Sequence, residues 1–230
     1  VFRYNREMKR TGILITNLGT PDEATPSALR RYLAEFLWDR RVVDLPRWKW
    51  WLILHGIILR TRPAKVAKIY KKVWSSEGGP LLVISKQQQV ALQKKLQEQF
   101  GDDVIVELGM RYGNPSISSA LESLRAERVE RIIVLPLFPQ YSAATTGSTF
   151  DAVSDTIRGW RSIPELTFIN EYHTHPKYIE ALAKSIIEHR KFHDNISAGE
   201  RLLFSYHGLP QSYHDAGDPY KSQCIATTNA

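Results

Sequence analysis

A histidine that leaves an apolar run and immediately meets glycine is placed to do chemistry, as in the segment Phe204-Ser205-Tyr206-His207-Gly208-Leu209-Pro210. A neutral imidazole at such a point can bind a metal ion or accept a proton. A second segment, Gly217-Asp218-Pro219-Tyr220, follows closely. Three earlier loops also follow apolar runs. Asn17-Leu18-Gly19-Thr20-Pro21 contains a glycine that permits a tight turn and close backbone approach to a ligand. Gly109-Met110-Arg111-Tyr112-Gly113-Asn114-Pro115 sets an arginine beside a tyrosine, and the guanidinium can pair with a ligand carboxylate or make a surface or interdomain ion pair. The run from Phe138 through Gln140, Tyr141, Ser142, Thr145, Thr146 and Gly147 to Ser148 offers hydroxyls ahead of a helix, a setting that suits an anion. It lacks the lysine and glycine spacing of a Walker A loop, which argues against a nucleotide. The other histidines carry less: His173 and His175 alternate in a loop, His189, His193 and His214 lie near charged positions, and none makes a zinc-type spacing with Cys224.

The elements that must position these loops alternate between strand and helix, which predicts an α/β fold with a parallel sheet and helices on both faces. Gly12 to Leu18 reads as a buried strand, followed by Thr25 as N-cap and Pro26 at the first helical position. Leu29, Tyr32, Leu33, Phe36 and Leu37 then share one helical face. Asp44, Pro46 and a Trp-rich segment interrupt the pattern before a helix starts near Pro63, with Val66, Ile69, Tyr70, Val73 and Trp74 as its stripe. A loop from Ser75 to Pro80 precedes a Gln/Lys-rich helix ending near Phe100, with Gly101 as C-cap. Strands at 104–108, 131–135 and 166–169 and helices at 116–124 and 148–160 complete a first lobe. A helix around 178–188 and a strand at 201–205 leading into His207 begin a second.

Composition narrows the classes further. Apolar residues at 43% and charged residues at 24% are those of a folded globular body. The single cysteine excludes an intrachain disulfide and the N-terminus does not read as a secretory signal, so a cytoplasmic setting is expected. The net charge of +7 concentrates between Arg30 and Lys72, around the tryptophans, without any nucleic-acid-binding signature. The apolar stretch from Trp50 to Leu59 is too short to span a bilayer, yet tryptophans flanked by Lys and Arg suit a membrane surface.

Five segments together resemble the ferrochelatase family, along nearly all of residues 11 to 228: Gly12-Ile13-Leu14-Ile15-Thr16-Asn17-Leu18-Gly19-Thr20-Pro21, Gly109-Met110-Arg111-Tyr112, Pro139-Gln140-Tyr141-Ser142 through Thr145-Thr146-Gly147-Ser148, Ser205-Tyr206-His207-Gly208-Leu209-Pro210, and Gly217-Asp218-Pro219-Tyr220. The Trp-rich version of residues 36–62 is similar to proteobacterial members. The resemblance implies a chelatase-like fold of two Rossmann-like lobes holding a porphyrin. Residues 1–10 would be a tail, 11–171 the first lobe with a porphyrin lip at 33–62, and 172–230 the start of an incomplete second lobe. It implies insertion of Fe²⁺ into protoporphyrin IX, or coproporphyrin III, to give haem. Leu18, Leu33, Leu37 and Trp38 would pack on the ring, Arg62 and Tyr70 would lie near its propionates, and Arg111, Tyr112, Tyr141, Ser142, Thr146 and Tyr220 would line the site. His207 would be the metal ligand or proton acceptor.

Members with an iron–sulfur cluster have a cysteine where this chain has Ala143, so no cluster and no cofactor beyond the substrate iron is expected. The acidic residues that face the histidine in the family fall beyond residue 230, so the chain alone is expected to turn over poorly. Peripheral membrane contact through 36–60 is expected, and no nucleic acid. A porphyrin- or haem-binding protein without insertion activity, or a cobalt or nickel chelatase on the same fold, is the alternative; the latter should lack the long aromatic lip.

Overall fold

The computed structural model describes residues 9–191 and 201–230. Residues 1–8 of the expected tail, and His193, lie outside the described residues. The chain divides into two compact units, Val1–Leu137 with Ala143–Ile169, and Phe138–Ser142 with Asn170–Ala230.

The first unit is α/β. Strand β1 (Thr11–Thr20) pairs in parallel with β2 (Val104–Gly113) on one side and β3 (Arg131–Pro136) on the other, and β3 pairs with β4 (Glu165–Phe168), giving the order β2-β1-β3-β4. Side chains alternate across a strand, so Leu14 and Ile15 enter different cores. Leu14, Ile132 and Val134 pack on Leu121 and Leu124 of α5 (Ile117–Ala126) and Val153 of α6 (Ser148–Ile157). Ile15, Val106, Leu108 and Met110 pack on Leu82, Leu92 and Leu96 of α4 (Pro80–Phe100). Burial on both faces explains the unbroken apolar runs of these strands.

A third, smaller core lies outside the sheet. Helix α1 (Pro26–Trp38) starts as the sequence predicts, with the Thr25 hydroxyl accepting from the Ala28 N–H at 3.3 Å. The Trp-rich segment does not interrupt the helical pattern as expected. Helix α2 (Arg47–Ile53), a wide π turn (Leu54–Ile58) and α3 (Leu59–Val73) form a nearly continuous run that folds back on α1. Trp50, Leu54 and Leu59 bury themselves against Leu33 and Leu37. Pro63 therefore sits inside α3 rather than starting it, about one turn after the π turn has re-registered the ladder.

The second unit departs from expectation. Helix α7 (Pro176–Lys191) begins earlier than the sequence suggests, while α8 (Gln211–Asp215) and α9 (Tyr220–Asn229) flank the Gly217 turn. The expected strand at 201–205 is absent: the segment makes no ladder, and Leu203 is 86% exposed. Apolar, β-prone residues become a strand only when a neighbour supplies backbone partners, and no strand is present among the described residues of this unit.

As an edge strand, β2 would leave every second backbone group open. Glutamines one turn apart on α4 fill that role. Gln93 donates to the Val104 carbonyl at 2.9 Å and accepts from the Val106 N–H at 2.6 Å, while Gln89 donates to the Val106 carbonyl at 2.9 Å. Gln93→Ala is expected to lower stability by about 1–3 kcal/mol, read as a shifted urea midpoint at unchanged slope; an unshifted midpoint would show that solvent replaces the amide at no cost.

Candidate functional site

In open parallel sheets, ligand-facing chemistry gathers at the carboxyl ends of the strands. The end of β1 closes tightly on β2: Gly19 has φ +109°, and a Cβ there would lie 1.8 Å from the Tyr112 carbonyl oxygen. Only glycine permits this approach. The Tyr32 hydroxyl donates to the Gly19 carbonyl at 3.2 Å, and Asn17 donates to Ser85 Oγ at 3.1 Å, so the turn is held from α1 and from α4.

The end of β2 is organised by Asp39, the residue that caps the carboxyl end of α1. Its Oδ2 accepts from Arg111 Nη2 at 2.6 Å, the Tyr112 hydroxyl at 2.8 Å and Ser148 Oγ at 2.5 Å, and its Oδ1 accepts from the Arg41 backbone N–H at 2.7 Å. Arg111 Nε also donates to Ser148 Oγ at 2.6 Å. The Asp39 side chain is 8% exposed and that of Arg111 19%. Burial pushes the Asp39 carboxyl up, but the hydrogen bonds from Ser148, the Arg41 backbone and Tyr112, with the Arg111 charge, outweigh it and hold it below its ordinary value. Burial raises the Tyr112 hydroxyl, which stays protonated and donating.

This arrangement corrects the expectation that Tyr112 lines a site. The tyrosine is wholly buried, edge-on to Phe36 with ring centroids 5.1 Å apart, and its hydroxyl is taken by Asp39 and Ser148. Arg111 pairs with the largely buried carboxylate of Asp39 in the same unit, which is neither a surface nor an interdomain ion pair. Sequence reasoning missed Asp39, because nothing local marks an aspartate whose partners lie 72 to 109 positions away.

The remaining predicted residues of this unit separate by exposure. Leu18 is half-buried, and Leu33 and Leu37 are half-buried in the small core behind the lip. Trp38 is exposed, with the Arg47 guanidinium 3.8 Å from its ring centroid. Arg62 is exposed, and Tyr70 is half-buried against Trp74, its hydroxyl raised by burial. Thr146 is fully buried within the π turn Ala143–Gly147, and its hydroxyl has no hydrogen-bond partner among the described residues.

Within the second unit two of the sequence motifs meet. Ser142 Oγ donates to Asp218 Oδ2 at 3.0 Å, and the Tyr141 N–H donates to Gln223 Oε1 at 2.6 Å. Gln140 Nε2 donates to Thr227 at 2.9 Å, so the whole Gln140-Tyr141-Ser142 segment is bound to α9 and the turn before it. Tyr220 is half-buried, which raises its hydroxyl; it meets the Cys224 thiol and accepts a backbone hydrogen bond from His207. The His207 side chain is exposed. Among the described residues no three His, Cys, Asp or Glu side chains converge as a preformed metal cluster, so His207 offers a single nitrogen donor.

The Asp39 cluster gives a direct test. Asp39→Asn keeps the shape but withdraws the charge from a largely buried arginine, and a stability loss of about 3 kcal/mol or more is expected at neutral pH. Because the native carboxyl is depressed, its contribution is complete above the unfolded-state value of about 4 and is lost as pH falls through the lower folded value. Urea unfolding should therefore show the gap between the two proteins narrowing in acid; a gap independent of pH would remove the charge from the account.

The ferrochelatase family model matches residues 10–230. The ferrochelatase of Thioalkalivibrio sulfidiphilus is 55% identical over 216 residues, covering 94% of this chain and 58% of the relative. That of Hydrogenovibrio crunogenus is 56% identical over 221 residues, covering 94% and 58%. That of Marinobacter nauticus is 50% identical over 227 residues, covering 99% and 60%. The chain thus spans about three-fifths of the length of these curated relatives. A match over all but the first few residues, on a parallel sheet whose strand ends carry the sequence motifs, leaves one assignment: the chain belongs to the ferrochelatase family.

Proposed function

We propose that the whole protein inserts Fe²⁺ into protoporphyrin IX, forming protohaem and releasing two protons. The observation that carries this reading is the exposed His207 imidazole, with its backbone tied to Tyr220, in a chain of this family. Insertion replaces two pyrrole N–H bonds by Fe–N bonds, so both protons must leave as the metal arrives. A neutral imidazole can accept one of them, or hold the incoming ion by its lone pair. The flat ring hides its nitrogen lone pairs, and a site that grips a puckered ring more tightly than a flat one lowers the barrier by differential binding. In this reading Leu18 and Trp38 contact the ring, and Arg62 and Tyr70 serve its propionates. Tyr141, Ser142, Thr146 and Tyr220 shape the site, while Arg111 and Tyr112 act as positioning residues through Asp39 and Ser148. Iron enters as substrate and no resident cluster is invoked.

In the natural full-length protein, His207→Ala is expected to slow ferrous or zinc insertion, followed by porphyrin absorbance, by about 10²–10⁴. Porphyrin quenching of tryptophan fluorescence should persist. Equal insertion rates would take His207 out of the mechanism.

We further infer that the lip segment rests on an anionic membrane surface. No helix among the described residues is long and apolar enough to cross a membrane. Trp48, at 68% exposed, lies with Trp51, Leu52 and Ile57 among the exposed cations Arg40, Lys49, Arg60 and Lys65. That combination suits the boundary between headgroups and acyl chains. Replacing Trp48 and Leu52 together by alanine should weaken co-sedimentation with phosphatidylcholine–phosphatidylglycerol vesicles by about tenfold or more; unchanged sedimentation would place the surface elsewhere.

A further inference from the structure

The lip holds one side chain that the insertion chemistry leaves unused. His55 lies in the π turn Leu54–Ile58, a helical irregularity that commonly marks a functional position. Its imidazole is exposed and accepts or donates no hydrogen bond among the described residues. It continues a stripe of exposed residues at helical spacing, Trp48, Trp51 and Leu52, that a water-facing helix would ordinarily make polar. Two tryptophans flank it. Trp51 is tilted beside it with ring centroids 5.2 Å apart, and Trp38 stands edge to face at 6.5 Å and 65°. The Arg47 cation, stacked on Trp38 and bonded to its carbonyl, fixes that second ring.

A solvent-facing imidazole set among apolar rings has the ingredients of an axial haem ligand, since histidine is a common proximal donor to haem iron. We propose that His55 is a binding site for iron porphyrin, ligating the metal through a ring nitrogen while Trp38 and Trp51 contact the macrocycle. The step is a ligand exchange: the imidazole lone pair forms the Fe–N bond, a water leaves the axial position, and no electron is transferred. A ring ligated in this way stands normal to the imidazole plane, and Trp38, inclined at 65° to that plane, can face it. The site discriminates by chemistry rather than shape. A metal-free porphyrin has no axial acceptor, so His55 recognises the metallated ring and not its precursor. Resting on the insertion reading, in which Trp38 also meets the substrate ring, this makes the lip a landing point for product at the margin of that grip.

The test is a titration of the natural full-length protein with ferric protoporphyrin IX and, separately, with metal-free protoporphyrin IX. Wild type is expected to give the visible spectrum of histidine-ligated ferric iron. His55→Ala should lose that spectrum and bind ferric protoporphyrin about tenfold more weakly or worse, with a much smaller change for the metal-free ring read by tryptophan quenching. His55→Met, which restores a weaker axial donor, should recover part of the affinity with an altered spectrum. His207→Ala should retain the histidine-ligated spectrum. The proposal is overturned if wild type shows no histidine ligation, if His55→Ala keeps it, or if His207→Ala abolishes it. Should ferric protoporphyrin bind through His55 while the metal-free ring fails to bind at all, the site stands and the insertion reading falls.

Discussion

The first unit depends on one buried carboxylate. Asp39 receives hydrogen bonds from the end of β2, from the start of α6 and from its own following turn, and so ties the exit of α1 to the sheet. An unpaired charge in that place would be costly, and three donors with a guanidinium make it tolerable. Arg41, the next residue but one, adds a second tie to α6, pairing with both oxygens of Asp151 at 2.5 and 2.8 Å. The lip therefore leaves the sheet from a fixed point. Beyond it the segment must make its own core, which it does with Trp50, Leu54 and Leu59 against α1. Its inner side is packed and its outer side stays apolar and exposed.

The second unit is fastened in a comparable way, again around an aspartate. Ser142 on Asp218, Tyr141 on Gln223 and Gln140 on Thr227 bind a short segment of chain to α9 through side-chain and backbone groups together. Motifs separated by some seventy-six positions are thereby one object in space. Residues that look like separate ligand contacts in sequence are, in part, the fastenings that hold one another.

Much of the sheet was legible because its signals are local. Continuous apolar runs marked β1, β2 and β3, Thr25 marked the start of α1, and Gly101, at φ +69°, marked the end of α4. What escaped was non-local. The π turn carries Pro63 through a helix that a proline rule would end, and the ladder that would make 201–205 a strand depends on partners the segment does not itself encode. The candidate site shows the same split. Arg111 and Tyr112 stand out by type at the end of a strand, but that Tyr112 is an interior support follows only from Asp39 and Ser148, which approach it through the fold, and the strand expected to lead into His207 is not formed.

The glutamines that cover β2 have a consequence for how such molecules meet. With Gln89 and Gln93 occupying the outward groups of Val104 and Val106, that margin of the sheet offers little for another extended chain to zip onto. The opposite margin is only the four residues of β4, with Glu165 held in ion pairs to Arg131 and Lys9. A polypeptide crowded with its own kind would thus resist growing into fibrils through this sheet.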